Sequence, residues 1–181
     1  SIQIFLNSLF LDKKTYFFHI YILYNILHIM IVIKYDDSYI KRWDNFIEND
    51  SINGTIYHTR NFLSYHPKDK FEDTSILIFD NSELNNLICV LPCCKKGGKY
   101  FSHSGATYGG PVFSNKNFNI DKVKSIINLI FEYYDNKFEC RIANNIYFEK
   151  EIFHIYYLLS HKLNIKMELS WYVDNFKCNI L

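Results

Sequence analysis

Apolar residues recur along this chain with two periods, and the change from one to the other marks its elements. Ile40, Trp43, Phe46 and Ile47 fall at i, i+3, i+6 and i+7, which predicts a helix with one apolar face. Asp36, Asp37 and Ser38 offer its N-cap, and the helix should end between Asn49 and Gly54. Thr55 is the cap candidate for a second short helix with Ile56, Phe62 and Leu63 inward, stopped at His66-Pro67 because the residue before Pro avoids the helical region. Beyond Asp69 the period becomes that of strands. Residues 75–80 and 87–92 are two nearly continuous apolar runs around a polar turn, the pattern of an antiparallel hairpin with helices covering both faces of its sheet. Val123, Ile126, Ile127, Ile130, Phe131 and Tyr134 then form the clearest helical stripe, over residues 121–134. Shorter strands are expected at Ile31-Val32-Ile33, Lys99-Tyr100-Phe101, Val112-Phe113, 138–143 and 166–173, and a further helix at 149–163. The order of helices and strands argues for an α/β (α+β) layered domain.

One segment fits neither period. An uncharged run of eighteen residues begins at Tyr16 and ends at Ile33, the lower limit for a membrane-spanning helix. His19, Asn25 and His28 interrupt it at a cost in hydrocarbon, and it lacks the small-residue cleavage site of a signal peptide. Three readings stand: an extension or appended helix ahead of a domain starting at Met30, a membrane anchor, which is not favoured, or a buried core helix.

Composition narrows the class. With 181 residues, 49% hydrophobic and 22% charged, the chain can bury one sizeable core as a single domain. A formal net charge of +1 supplies no long-range field, and the densest basic stretch, Lys95-Lys96-Gly97-Gly98-Lys99, reads as a solvated hairpin tip, so no nucleic-acid partner is expected. The five Cys lack a C-x-x-C pair and lie in apolar segments, which suggests free thiols in a reducing, cytoplasmic setting, with membrane association as the alternative. Strand alternation points Cys93 and Cys94 to opposite faces.

The densest loop chemistry lies in Ser102-His103-Ser104-Gly105-Ala106-Thr107-Tyr108-Gly109-Gly110-Pro111, which holds three of the six Gly of the chain. Strands on either side would display Ser102, His103, Thr107 and Tyr108 at a sheet end, where functional groups concentrate. A tight Gly turn with incidental polar residues is the plainer alternative. His58, His66 and His103 could gather with Ser102, Ser104 or Asp73 as base and nucleophile, but there is no G-x-S-x-G elbow, and a lone His is more often a structural hydrogen-bond partner. The other His lie too far apart for a metal motif, and neither a Walker loop nor a dinucleotide fingerprint is present.

Several separated motifs, in order, resemble a family: Trp43, Phe46, the run Asn53-Gly54-Thr55-Ile56-Tyr57-His58-Thr59-Arg60-Asn61-Phe62-Leu63-Ser64-Tyr65-His66, then Phe71, Asp73, Ser75, Leu91-Pro92 and the Ser102 to Gly110 loop. They look like bacterial GNAT acyltransferases of the Fem-like (FemAB) type, associated with polysaccharide and cell-envelope clusters. Residues 31–113 carry the likeness well; Ile146-Tyr147 and the stretch from Glu168 to Asp174 fit more loosely. The resemblance implies a GNAT-like mixed β-sheet flanked by helices, and transfer of an acyl group (N-acetyl or aminoacyl) to an amino group of a cell-envelope or polysaccharide precursor. It implies catalytic roles for His103 and Tyr108, and substrate binding by Ser102, Ser104, Gly105, Thr107, Gly109, Gly110, His58 and Tyr65, with the Gly109-Gly110 amides as oxyanion donors and no metal. Acyl-CoA, such as acetyl-CoA, is the implied donor, and a small-molecule or sugar-linked amine the implied acceptor.

The chain departs from the family in three ways. The segment after Ile146-Tyr147 is shorter, a second GNAT-like half is missing, and the usual phosphate loop is absent, so no residue is assigned to acyl-CoA. Residues 1–29 thus read as an N-terminal extension or apolar helix, and 30–181 as the first half of a two-half, truncated Fem-like protein. The alternative is a non-catalytic binding module that needs a partner half or self-association.

Overall fold

The computed structural model describes residues 30–67, 70–80, 84–116 and 119–142. Most of the 16–33 run and the helix and strand expected at 149–163 and 166–173 lie outside the described residues. Within them the chain is mixed α/β, with eight strands: β1 (Ile31–Lys34), β2 (Glu72–Asp73), β3 (Ile76–Phe79), β4 (Leu87–Leu91), β5 (Cys94–Lys96), β6 (Lys99–Phe101), β7 (Val112–Phe113) and β8 (Phe138–Glu139). Where a single mixed sheet was expected, they form two four-stranded sheets ordered β1-β3-β4-β7 and β2-β5-β6-β8. The first is antiparallel throughout; in the second, β6 and β8 run parallel. The helices are α1 (Ile40–Asn45), α2 (Arg60–Leu63) and α3 (Ile120–Tyr133). Among the described residues no helix is long and apolar enough to cross a membrane.

The first sheet sorts its side chains by parity. Ile76 and Ile78 of β3 enter one apolar cluster with Val123, Ile126, Ile127 and Ile130 of α3, while Leu77 and Phe79 enter another with Trp43, Phe46 and Ile47. Every residue of β3 and β4 is buried, as expected of continuous apolar strands covered on both faces. α3 starts where the Asn119 side chain accepts from the Lys122 N–H, 2.8 Å. It ends as Asp135 and Asn136 take positive φ and the Asn136 N–H returns to the Phe131 carbonyl, 2.8 Å. Just past it, the buried Tyr134 hydroxyl donates to the Thr74 carbonyl, 2.6 Å, tying the helix end to the entrance of β3.

Asp36 caps the first helical segment by accepting from the Ser38 N–H, 2.8 Å. A 3-10 turn precedes α1, and a wider π-helical stretch (Phe46–Asp50) follows it. Trp43, Phe46 and Ile47 point inward as expected, but Ile40, at the edge of the stripe, is exposed. Ile56 corrects the expected inward face more sharply. It is 66% exposed because Thr55 caps a 3-10 turn (Ile56–His58) whose inner position goes to His58.

Candidate functional site

The loop from Ser102 to Pro111 is closed at its base by the chain leaving β8. The Ser102 N–H donates to the Glu139 carbonyl (2.9 Å), the Gly109 N–H donates to the Arg141 carbonyl (2.7 Å), and the Arg141 N–H donates back to Ser102 Oγ (3.3 Å). Between these pins a tight turn forms, with the Ala106 N–H on the His103 carbonyl, 3.0 Å. The sequence suggested display of Ser102 and His103; both are buried, Ser102 because its hydroxyl serves this closure and His103 because its ring packs inward. Ser104 and Thr107 are exposed, Tyr108 and Gly105 half-buried, and Gly109 and Gly110 buried.

Three side chains from the segment before β2 brace the loop. Asn53, buried, donates from Nδ2 to the Pro111 carbonyl (2.9 Å) and accepts on Oδ1 from the Phe113 N–H (2.8 Å), fixing where the loop becomes β7. His66 Nε2 lies 3.0 Å from the Gly105 carbonyl. His58 is buried beneath the far side: its Nδ1 accepts from the Thr55 N–H (3.1 Å) and its ring is hydrogen-bonded to the Gly109 backbone. With Nδ1 accepting, the neutral ring carries its proton on Nε2. The Trp43 indole N–H donates to the His58 carbonyl, 2.8 Å, holding this bracing segment to the core.

Burial is the main cause that pushes the His58 imidazole down to about 4 from its ordinary 6.5. Because the folded value lies below the unfolded one, the unfolded chain binds more protons in between; the stabilisation is complete above pH 6.5 and is lost as pH falls toward 4. Between about pH 7 and about pH 5 His58 alone should lower the unfolding free energy by about 2 kcal/mol. Urea midpoints at the two pH values check this, and a His58→Gln chain whose midpoint falls as far as the unmodified chain's would refute it.

A second cluster surrounds His103. Its ring stacks on His66 at 6.0 Å with 12° between planes and meets the ring of Phe71 edge-on at 5.2 Å. Its backbone sits at φ +28, rarely adopted by residues with side chains. His103 Nδ1 has no hydrogen-bond partner among the described residues. Burial foremost pushes this imidazole down to about 4; Asp73 opposes the shift, while Arg60 and His66 add to it, so the ring is neutral at physiological pH. Arg60, also buried, pairs through Nη1 with Asp73 Oδ2 at 2.6 Å and lies over the rings of Tyr35 (3.3 Å) and Trp43 (4.1 Å). Cys94 Sγ accepts from the Ser104 N–H, 3.3 Å.

Aromatic contacts extend this cluster outward. Tyr108 meets Tyr57 edge-on at 5.8 Å, Tyr57 meets Phe62 at 5.2 Å, Phe62 meets Tyr65 at 6.3 Å, and Tyr65 meets His66 at 4.6 Å. The exposed Tyr65 thus lies at the rim, two contacts from His103 through His66. His58 belongs to the Gly109 side of the loop and His66 to the Gly105 side, so the structure divides the candidate histidines rather than collecting them around one serine.

Comparison with protein-family models and with curated proteins returned no match. In the sequence His66 and Asp73 enter only as possible members of a base-and-nucleophile group, and Asn53 and Arg60 only within the family-like run; none of the four is assigned there to catalysis or substrate binding. Arg60 is the plainest omission, since an Arg in a short polar helix reads as exposed until tertiary contacts bury it.

The cysteines have structural environments. Cys89, Cys93 and Cys94 are buried and free. Cys93 joins the cluster under α3 while Cys94 faces Ser104, as their alternation predicted. Among the described residues no group of three His, Cys, Asp or Glu could hold a metal ion.

Coenzyme A would need free cations or helix N-terminal amides for its pyrophosphate. The cations nearest the start of α3 are engaged: Lys122 pairs with Asp80, and Lys116 pairs with Asp50 at 2.7 Å. The Asn119 cap takes the Lys122 N–H, and the cavity beside it measures only about 10 Å³. At the start of α3, therefore, neither Lys116 nor Lys122 is left free for a pyrophosphate.

Proposed function

We propose that this chain is the acceptor-side half of a GNAT-like, Fem-like acyltransferase, acting on an amino group. The observation that carries the reading is His103: a buried, neutral imidazole, fixed between His66 and Phe71, with Nδ1 unpartnered among the described residues. An amine attacking an acyl carbonyl must shed a proton, and an oriented ring nitrogen with no competing partner can accept that N–H. Tyr108, at the end of the aromatic series, is the second catalytic candidate, as a hydroxyl donor. The oxyanion role narrows to the Gly110 N–H, since the Gly109 N–H is already bonded to Arg141. Ser104, Gly105, Thr107 and Tyr65 line the outer side for the acceptor, whereas Ser102, Gly109 and His58 support the loop.

The test is transfer by the full chain from acyl and aminoacyl donors to a panel of simple and sugar-linked amines. His103→Ala should lower the rate by about 10²-fold or more. An unchanged rate in that variant would remove His103 from the chemistry.

The ion pairs that engage Lys116 and Lys122 beside the start of α3 favour one second reading, a non-catalytic binding module that needs a partner half. Saturable amine binding without transfer from any donor would select it.

A further inference from the structure

Resting on the acyltransferase reading, we propose that the Nε–Nη2 edge of Arg60 is a carboxylate receptor, so that the amine acceptor is one that also carries a carboxylate. The Arg60 side chain is only 6% exposed, and its engaged nitrogen is Nη1, on Asp73. Nε and Nη2 have no hydrogen-bond partner among the described residues. Buried donors left idle are costly, and each such group in a folded protein calls for a partner. These two lie side by side on one edge of the guanidinium, the fork that matches the two oxygens of a carboxylate. The faces of Tyr35 and Trp43 hold the guanidinium, so the edge is oriented in advance.

His103 supplies an independent second observation. It is 7% exposed and its Nδ1 is likewise unpartnered among the described residues. Phe71, whose ring meets that of His103 at 5.2 Å, lies two positions before Asp73, which holds Arg60 at 2.6 Å. An idle bidentate donor and an idle ring nitrogen thus share one neighbourhood, suited to a molecule with a carboxylate at one end and an amine at the other. A ligand would reach this buried edge from the side of Asp73, whose side chain is 41% exposed. Nη2 shares its carbon with Nη1, so the free edge begins next to that half-exposed carboxylate. Asp73 already neutralises Arg60 and competes for it, which makes the receptor selective in shape and weak in affinity.

The experiment titrates the full chain with acetate, glycine, methylamine and inorganic phosphate at fixed ionic strength, reading the Arg60 Nε–Hε resonance by NMR. Acetate and glycine should give saturable shifts and methylamine none. Arg60→Lys keeps the charge opposite Asp73 but loses the fork, and should weaken acetate binding, read by protection against thermal unfolding, about tenfold or more. Equal acetate protection in that variant overturns the proposal. Should the variant fail to fold, the unmodified chain decides alone: no saturable acetate shift up to about 100 mM overturns it, and so does phosphate binding tighter than acetate, which would point to a phosphorylated acceptor. Acetate saturation with no transfer to any amine keeps the receptor and removes the acyltransferase reading. Equal transfer to glycine and methylamine keeps the acyltransferase and removes the carboxylate requirement.

Discussion

Replacing Trp43 by Ala should lower the unfolding free energy by about 4 kcal/mol, near the upper end for truncation of a core side chain. Trp43 is fully buried, so the variant loses an indole's worth of apolar contact with Phe46, Leu77 and Phe79 of its cluster and leaves a cavity. Three further contacts go with it: the indole N–H on the His58 carbonyl at 2.8 Å, the edge-on contact with Tyr35 at 5.5 Å, and one of the two ring faces under Arg60. Trp43→Phe restores a ring but not the N–H, leaving the His58 carbonyl without that donor, and should cost about 1–2 kcal/mol. At about 2–4 °C per kcal/mol for a chain of this size, Trp43→Ala should melt roughly 8–16 °C lower. Urea unfolding followed by far-UV circular dichroism measures both variants. A loss below about 1 kcal/mol for Trp43→Ala would mean that the indole is not a core residue.

Trp43 also shows how far the sequence could be read. Its place on an apolar stripe is a local periodic signal, and so are the stripe of α3 and the continuous runs of β3 and β4, which depend on neighbours a few positions away. The hydrogen bond from Trp43 to His58, 15 positions on, has no such signal. The same holds for the second sheet. β2 and β8 are two residues long, too short to show a period, and β8 lies parallel to β6 only because the chain returns past α3.

The loop was legible as a density of Gly and hydroxyls, but its braces were not. Asn53 reaches Pro111 across 58 positions and His66 reaches Gly105 across 39. Such contacts arise from tertiary packing and leave the residue type as their only trace. Ser102 and His103 illustrate the error this produces. Polar residues in a Gly-rich stretch read as displayed, yet a polar side chain is buried readily when a partner awaits it, as the Arg141 N–H awaits Ser102 Oγ. Arg60 inverts the case: its charge reads as solvated, and two aromatic faces and Asp73 make its burial tolerable.

The closure of the loop makes Gly109→Ala the sharpest single test of the site. A Cβ built on Gly109 would lie 2.0 Å from the Ser102 carbonyl oxygen and 2.8 Å from Ser102 Oγ. The first of these is backbone, which cannot rotate aside as a side chain can, so strand β6 and the loop base must separate. Two bonds depend on that approach, from the Gly109 N–H to the Arg141 carbonyl and from the Arg141 N–H to Ser102 Oγ. Overpacking of this kind costs about 1–3 kcal/mol, and the larger effect should fall on acceptor binding and transfer. His103 and Gly110 belong to the same closed loop, and a displacement of about 1 Å at a reacting group can cost about 10²-fold in rate. Gly97→Ala is the control. Gly97 has positive φ, which Gly109 does not, and nothing lies within 4 Å of its added Cβ at the exposed β5–β6 tip, so it should show only the backbone cost of about 1 kcal/mol and unchanged binding. Equal losses of binding in the two variants would show that the close approach of Ser102 to Gly109 is not what the site requires. A much larger loss in Gly109→Ala identifies the closed loop base as the device that sets the position of His103.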